Sequence, residues 1–158
     1  MHIFASLITN NIDIMFSKAC EYGIKASIFI ARESIGGNRV NLKQIAASID
    51  TPEAFTAKIL QELVKNGIIK SVKGKMGGFE MDTKTLAEIK LVDIIKSIDG
   101  DGLYHSCVLG LNECDALKPC ALHKRIFGIR KDLQRMLEVT SMNDLIEDID
   151  NGLAFLKH

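Results

Sequence analysis

The chain has 158 residues, with 20 Lys and Arg balanced by 20 Asp and Glu, 47% hydrophobic residues and two prolines. That length suits one domain with an appended element, and the composition supports a packed core and argues against disorder. No apolar run is long enough to cross a bilayer, so a membrane is not among the expected partners.

The overall charge balance hides an asymmetry. Residues 15–90 carry a net of +4 and residues 91–158 a net of −3. Between Lys58 and Lys75 five lysines (Lys58, Lys65, Lys70, Lys73, Lys75) face a single acid, Glu62. A local basic patch of this kind is either a solvated face or an electrostatic footprint for a polyanion.

The opening segment MHIFASLITNNIDI lacks the basic start, apolar centre and cleavage site of a secretion signal, so a cytoplasmic location is expected. Met15 reads as a second start, with residues 1–14 as an N-terminal extension. From residue 17 to 33, Ala19, Tyr22, Ala26, Phe29 and Ile30 recur three or four apart and predict an amphipathic helix, ended by Gly36-Gly37-Asn38. Asn41 is the expected N-cap of a short helix over 42–49, with Leu42, Ile45, Ala46 and Ile49 inward. Thr51 is expected to cap a third helix with Pro52 at its first position, Phe55, Ile59, Leu60, Leu63 and Val64 forming the buried stripe and Gly67 its end.

Two helices joined by so short a connection suggest a helix-turn-helix. Residues 68–72 and 79–82 then read as strands joined by the loop Lys73-Gly74-Lys75-Met76-Gly77-Gly78, a hairpin placed where a wing would be. Its glycines permit positive φ and let the backbone approach a phosphate, and its lysines add charge. The loop is not a P-loop, because no Lys-Ser/Thr and no helix follow it. A helix over 91–98 is expected to end at Asp99-Gly100, followed by an irregular stretch over 101–119.

Residues 121–139 form another helix, in which Leu122, Ile126, Ile129, Leu133 and Met136 are spaced 4, 3, 4 and 3. Such a seam packs on its own domain or on a second copy, and the latter makes it a dimerisation helix. Ser141 and Asp144 form a capping box for a last helix, with Leu145, Ile149 and Leu153 on one face. The segments are thus 1–14, an extension; 15–90, a winged helix-turn-helix; 91–119, a connecting helix and cysteine loop; and 120–158, the dimerisation and C-terminal helices. The predicted class is mainly α, with a small β-hairpin wing and a long dimerisation helix.

Cys107, Cys114, Cys120 and His123 follow the pattern C-x6-C-x5-C-x2-H. Soft thiolates select zinc or an iron–sulfur cluster, while buried cysteines can also be inert packing residues or thiol switches. Cys20 is expected to be a core thiol. An enzyme is disfavoured: there is no Ser-His-Asp or Cys-His set, no C-x2-C motif and no convincing carboxylate pair.

The segments MFSKACEYGIKA, LVKNGIIKSVKGKMGGFEM, CALHKRIFGIRKDL and LEVTSMNDL together resemble the Rrf-two family of bacterial winged-helix regulators, the family of IscR, NsrR and CymR. The likeness runs from Met15 to about Ile149. It implies a dimeric transcriptional regulator, expected to be a repressor, that binds a palindromic operator in double-stranded DNA as a homodimer. DNA-facing residues would be Ala54, Phe55 and Lys58, with Thr51 and Thr56 nearby. Lys73, Lys75, Gly77 and Gly78 would act in the wing, and Ser17 and Lys18 at a helix N-terminus could hold phosphates. The family usually has arginine where Lys73 stands; lysine keeps the charge and loses the planar fork. The resemblance further implies an iron–sulfur cluster on Cys107, Cys114 and Cys120, with Glu21 of the partner subunit or His123 as fourth ligand. Zinc, or no metal at all, is the alternative.

Overall fold

A computed structural model of the chain describes residues 15–109, 111 and 115–156. The extension 1–14 and Cys114 lie outside the described residues.

The centre of the fold is α1 (Lys18–Ile35), buried on nearly every side at Cys20, Gly23, Ala26, Ser27, Ile28, Ile30 and Ala31. Its apolar residues exceed one stripe because α2 (Leu42–Ile49), α3 (Glu53–Lys65), α4 (Leu91–Asp99) and α7 (Met142–Asp150) all pack on it. Asn41 caps α2 in a full capping box with Gln44, and Asp50 closes it in the left-handed region at φ 52°. Aspartate tolerates that conformation better than most residues, which makes the tight link into α3 possible.

The expected cap of α3 is corrected. Pro52, not Thr51, occupies the N-cap position, and its carbonyl accepts the amides of Phe55 and Thr56 at 3.1 and 3.0 Å. The Thr51 hydroxyl is instead buried without a hydrogen-bond partner. Proline at φ −58° and ψ 137° already has the extended geometry of an N-cap, so the helix begins one residue later. Gly67 ends α3 with φ 73°.

Ile68 and Ile69 are buried, and strands β1 (Lys70–Val72) and β2 (Gly78–Glu80) follow as an antiparallel pair with Ser71 opposite Phe79. Val40 extends this hairpin by exchanging two backbone hydrogen bonds with Phe79, at 3.1 and 2.8 Å. The hairpin is thereby anchored to the segment that enters α2.

The stretch expected to be irregular contains a short helix, α5 (Gly102–His105), before the cysteine loop. Next comes α6 (His123–Val139), in which only Leu137 is fully buried. Leu137 joins Cys20, Leu91, Val92 and Ile95 in a second apolar cluster, with Leu133 half-buried against it. Ile129 and Met136 remain 65% and 44% exposed. The expected seam is therefore split: Leu133 serves the chain's own core, whereas Ile129 and Met136 face outward. In α7 the capping box of Ser141 and Asp144 is present, and Leu145 and Ile149 are half-buried against the core as expected, beside the fully buried Met142 and Ile146, but Leu153 is 76% exposed. The helix ends before Leu153 can turn inward. No helix among the described residues is long and apolar enough to cross a membrane.

Candidate nucleic-acid interface and cysteine cleft

Along α3 and the hairpin, Lys58, Lys65, Lys70, Lys73 and Lys75 are all exposed. Only Lys70 of these has a described acid nearby, Asp82 at 3.6 Å. Ala54 and Phe55 share the exposed early turn of α3 with Lys58. Phe55 is 37% exposed, and its ring meets Tyr22 edge to face with centroids 5.9 Å apart. The Lys25 ammonium lies 5.6 Å from the Tyr22 ring centre. Phe55 is thus held by α1 and still open to a ligand, an arrangement invisible to the periodicity that put it in the buried stripe.

Other expected DNA residues are placed elsewhere. Thr56 is completely buried, and its hydroxyl donates to the Pro52 carbonyl at 3.1 Å, so it belongs to the core. Ser17 caps α1 by accepting the Cys20 amide at 3.1 Å. Its own amide donates to Asp99 at 3.0 Å, and its hydroxyl also hydrogen-bonds that carboxylate. An internal carboxylate therefore already occupies this helix N-terminus, and Ser17 has no hydroxyl proton to spare for phosphate. Lys18 is exposed and contacts Glu21 at 2.8 Å.

The two wing glycines are required by the protein itself. A Cβ on Gly77 would lie 2.2 Å from the Val72 carbonyl oxygen, and one on Gly78, at φ 143°, would lie 2.8 Å from that of Val40. The close approach expected toward phosphate is an approach to the chain's own backbone. Arg39, which the sequence reading passed over, braces the same hairpin. Its Nε donates to Glu80 at 2.5 Å and its Nη1 to the Met76 carbonyl at 3.4 Å.

Between the cysteine loop and α6, a cleft of about 250 Å³ is lined by Cys107, Cys120, His123, Tyr104 and Arg130, among others. The sulfurs of Cys107 and Cys120 are 3.9 Å apart. Hydrogen bonds from the backbones of Leu111 and Leu109 hold the Cys107 thiol below its ordinary value, with smaller help from Cys120 and Arg130. Arg130 in turn donates to the Ser106 carbonyl, tying α6 to the loop. His123, the first residue of α6, lines the cleft, and its ring stacks on Phe127 with centroids 6.4 Å apart. Glu21 does not line this cleft of its own chain. Among the described residues no three His, Cys, Asp or Glu side chains gather as a metal-binding group. Cys20 is fully buried, as expected of a core thiol, and burial, then Asp99, pushes its thiol up to about 12.

The test of fit for a metal group is the sulfur separation. Two thiolates each about 2.3 Å from one tetrahedral ion stand roughly 3.8 Å apart. The 3.9 Å between Cys107 and Cys120 matches that span, with an imidazole lining the same cleft.

A helix-turn-helix followed directly by a basic two-stranded wing defines a DNA-binding transcriptional regulator of the winged-helix class. Comparison with known proteins agrees: residues 16–148 match the model of the Rrf2 family, described as iron-dependent transcriptional regulators. The chain belongs to this family. An HTH-type transcriptional regulator of Aquifex aeolicus is 30% identical over 135 residues, covering 84% of this chain and 92% of that protein. The regulator NsrR of Geobacillus kaustophilus is 27% identical over 138 residues, covering 87% and 92%. Among solved structures, CymR, the global cysteine regulator of B. subtilis, superposes with a TM-score of 0.68 at 25% identity, over 84% of this chain and 95% of that one. T. potens IscR shares the fold, with a TM-score of 0.67 at 22% identity over 89% and 92%. The chain is accordingly a transcriptional regulator and not an enzyme.

Proposed function

We propose that two copies of this chain pair through α6 and bind a palindromic operator as a repressor, with an affinity set by an iron–sulfur cluster in the cysteine cleft. The observation that carries this reading is the approach of Cys107 and Cys120 to the spacing of two thiolates on one metal ion. Cys114 would complete the thiolate set, and either His123 or Glu21 of the partner subunit would supply the fourth ligand. His123 is favoured by its position in the cleft. A bound cluster would supply an oxidisable centre, open to nitric oxide at its non-thiolate ligand.

The chain's own residues then carry the signal. Backbone hydrogen bonds from Leu111 and Leu109 lower the Cys107 thiol, which favours thiolate ligation, and Arg130 links the loop to α6. Leu133 and Leu137 seat α6 against Leu91, Val92 and Ile95 of α4, and α4 packs on α1 and α3. A change in the cleft therefore reaches the recognition helix through contiguous packed elements, as a bistable interface requires. The exposed Ile129 and Met136 of α6 supply apolar surface for pairing. A cytoplasmic location agrees with reduced, metal-ready thiols.

Anaerobic reconstitution with ferrous iron and sulfide tests the reading. The parent should gain a visible charge-transfer spectrum and change its affinity for a duplex selected from a random pool. Cys107→Ala, Cys114→Ala and Cys120→Ala should each lose that spectrum. A full spectrum in Cys120→Ala sinks the thiolate set. A colourless protein with stoichiometric zinc replaces the cluster with a zinc site, which the same sulfur spacing also suits.

A further inference from the structure

The tip of the wing carries an apolar side chain with nothing to cover it. Met76 is 83% exposed, the largest value of any described methionine, and with Lys75 it forms the centre of a tight turn closed by the Gly77 amide on the Gly74 carbonyl at 3.0 Å. Its backbone is not free to swing. The Met76 carbonyl accepts from Arg39, whose guanidinium is also paired with Glu80, and Gly78 is locked against Val40. The hairpin thus presents a long, pliable thioether on a braced arm, with the lysines at 73 and 75 beside it.

We propose that Met76 enters the minor groove of duplex DNA as an apolar wedge, with Lys73 and Lys75 on the flanking phosphates and Arg39 acting as the positioning residue of the arm. Two observations point to DNA as the occupant. The charge on the wing loop is uniformly positive, from Lys73 and Lys75. The hairpin follows α3 directly, so with α3 seated in the major groove the wing reaches the adjacent groove. Methionine is one of the side chains able to part a base step, and its burial recovers apolar area that water otherwise solvates. Discrimination would then follow the deformability of the base step more than its hydrogen-bonding edge.

The inference rests on the DNA-binding reading, and a direct footprint tests it on the unmodified protein. Hydrogen peroxide transfers one oxygen atom to the thioether, giving sulfoxide and water, at a rate that follows exposure. Cleavage after lysine releases Met76 and the buried Met81 on one peptide, so Met81 is an internal reference. Bound to a duplex that the protein has itself selected from a random pool, Met76 should oxidise several-fold more slowly, while Met81 keeps its rate. Met76→Ala should bind that duplex about tenfold more weakly with the same salt slope, because no charge is lost. Met76→Leu should restore most of the affinity, and Arg39→Ala should weaken binding while leaving the helical circular dichroism intact. A Met76 oxidised at the same rate in the complex, or a Met76→Ala protein with parental affinity, overturns the wedge alone. A protein that retains no duplex overturns the DNA reading together with it.

Discussion

Asp99, the last residue of α4, accepts hydrogen bonds from both the amide and the hydroxyl of Ser17, 82 positions earlier, where α1 begins. The carboxylate thereby sits at the positive end of the central helix and receives its otherwise orphaned donors. It also lies beside the buried Cys20 thiol. Replacing Asp99 by alanine should cost about 1–3 kcal/mol, since two partly buried donors lose a charged acceptor. Ser17→Ala should cost about 1 kcal/mol, and the double variant should fall short of the sum. Urea denaturation of the four proteins checks this, and strict additivity would remove the clasp.

The division of labour on α6 makes two substitutions of similar size behave differently. Leu137→Ala empties a fully buried site and should destabilise the chain by about 2–5 kcal/mol. Ile129→Glu with Met136→Glu changes exposed positions and should leave the melting temperature nearly unchanged while yielding monomers in sedimentation. A stable dimer in that double variant rules out this face as the pairing surface. Leu133 is a poorer choice for the same test, because it packs on the chain's own core.

Alanine at Gly77 or Gly78 should damage the wing and spare the helices. Both would force a Cβ against backbone oxygen, which no side-chain rearrangement relieves. A strained backbone of this kind costs about 1–3 kcal/mol per site. The expected readout is weakened DNA binding with an unchanged helical circular dichroism spectrum. Parental affinity in both variants would show that the hairpin tolerates a different turn.

The capping box of α7 should appear as a pH dependence. The Ser141 amide and hydroxyl reach the Asp144 carboxylate at 2.8 and 2.7 Å and hold its pKa below the ordinary 3.8. Because the folded value is depressed, the contribution is complete above 3.8 and is lost as pH falls through the lower folded value. The urea midpoints of the parent and of Asp144→Asn should therefore differ near neutrality and converge in acid. A gap independent of pH would mean that the carboxylate charge contributes nothing.

Thiol reactivity should separate the cysteines by environment. Cys20 is buried and its thiol is raised to about 12, so an alkylating agent should leave it unmodified in the native, metal-free protein. Cys107, half-buried and held below its ordinary value, should react first. Mass spectrometry of timed samples reads the order, and early alkylation of Cys20 would contradict the packing of the second apolar cluster.

Signals confined to a few neighbouring residues were legible in the amino-acid order. Asn41 with Gln44 and Ser141 with Asp144 start helices because each box closes within one turn, and Gly67 ends α3 because its φ of 73° suits glycine. The wing was legible because its strands are joined by a short glycine-rich loop, and the family likeness because its motifs are contiguous. Tertiary structure decided the rest. Helical spacing groups Leu133, Met136 and Leu137 loosely on one side of α6, but only the position of α4 determines that Leu137 is covered and Met136 is not. Thr56 looked available until α3 docked and buried it. The pairings of Ser17 with Asp99 and Val40 with Phe79 join residues far apart in the chain, and no local propensity encodes them. Short-range order sets which elements form and which residues share a face; what covers each face depends on how distant elements pack, because burial is nondirectional and rewards any close-fitting apolar partner.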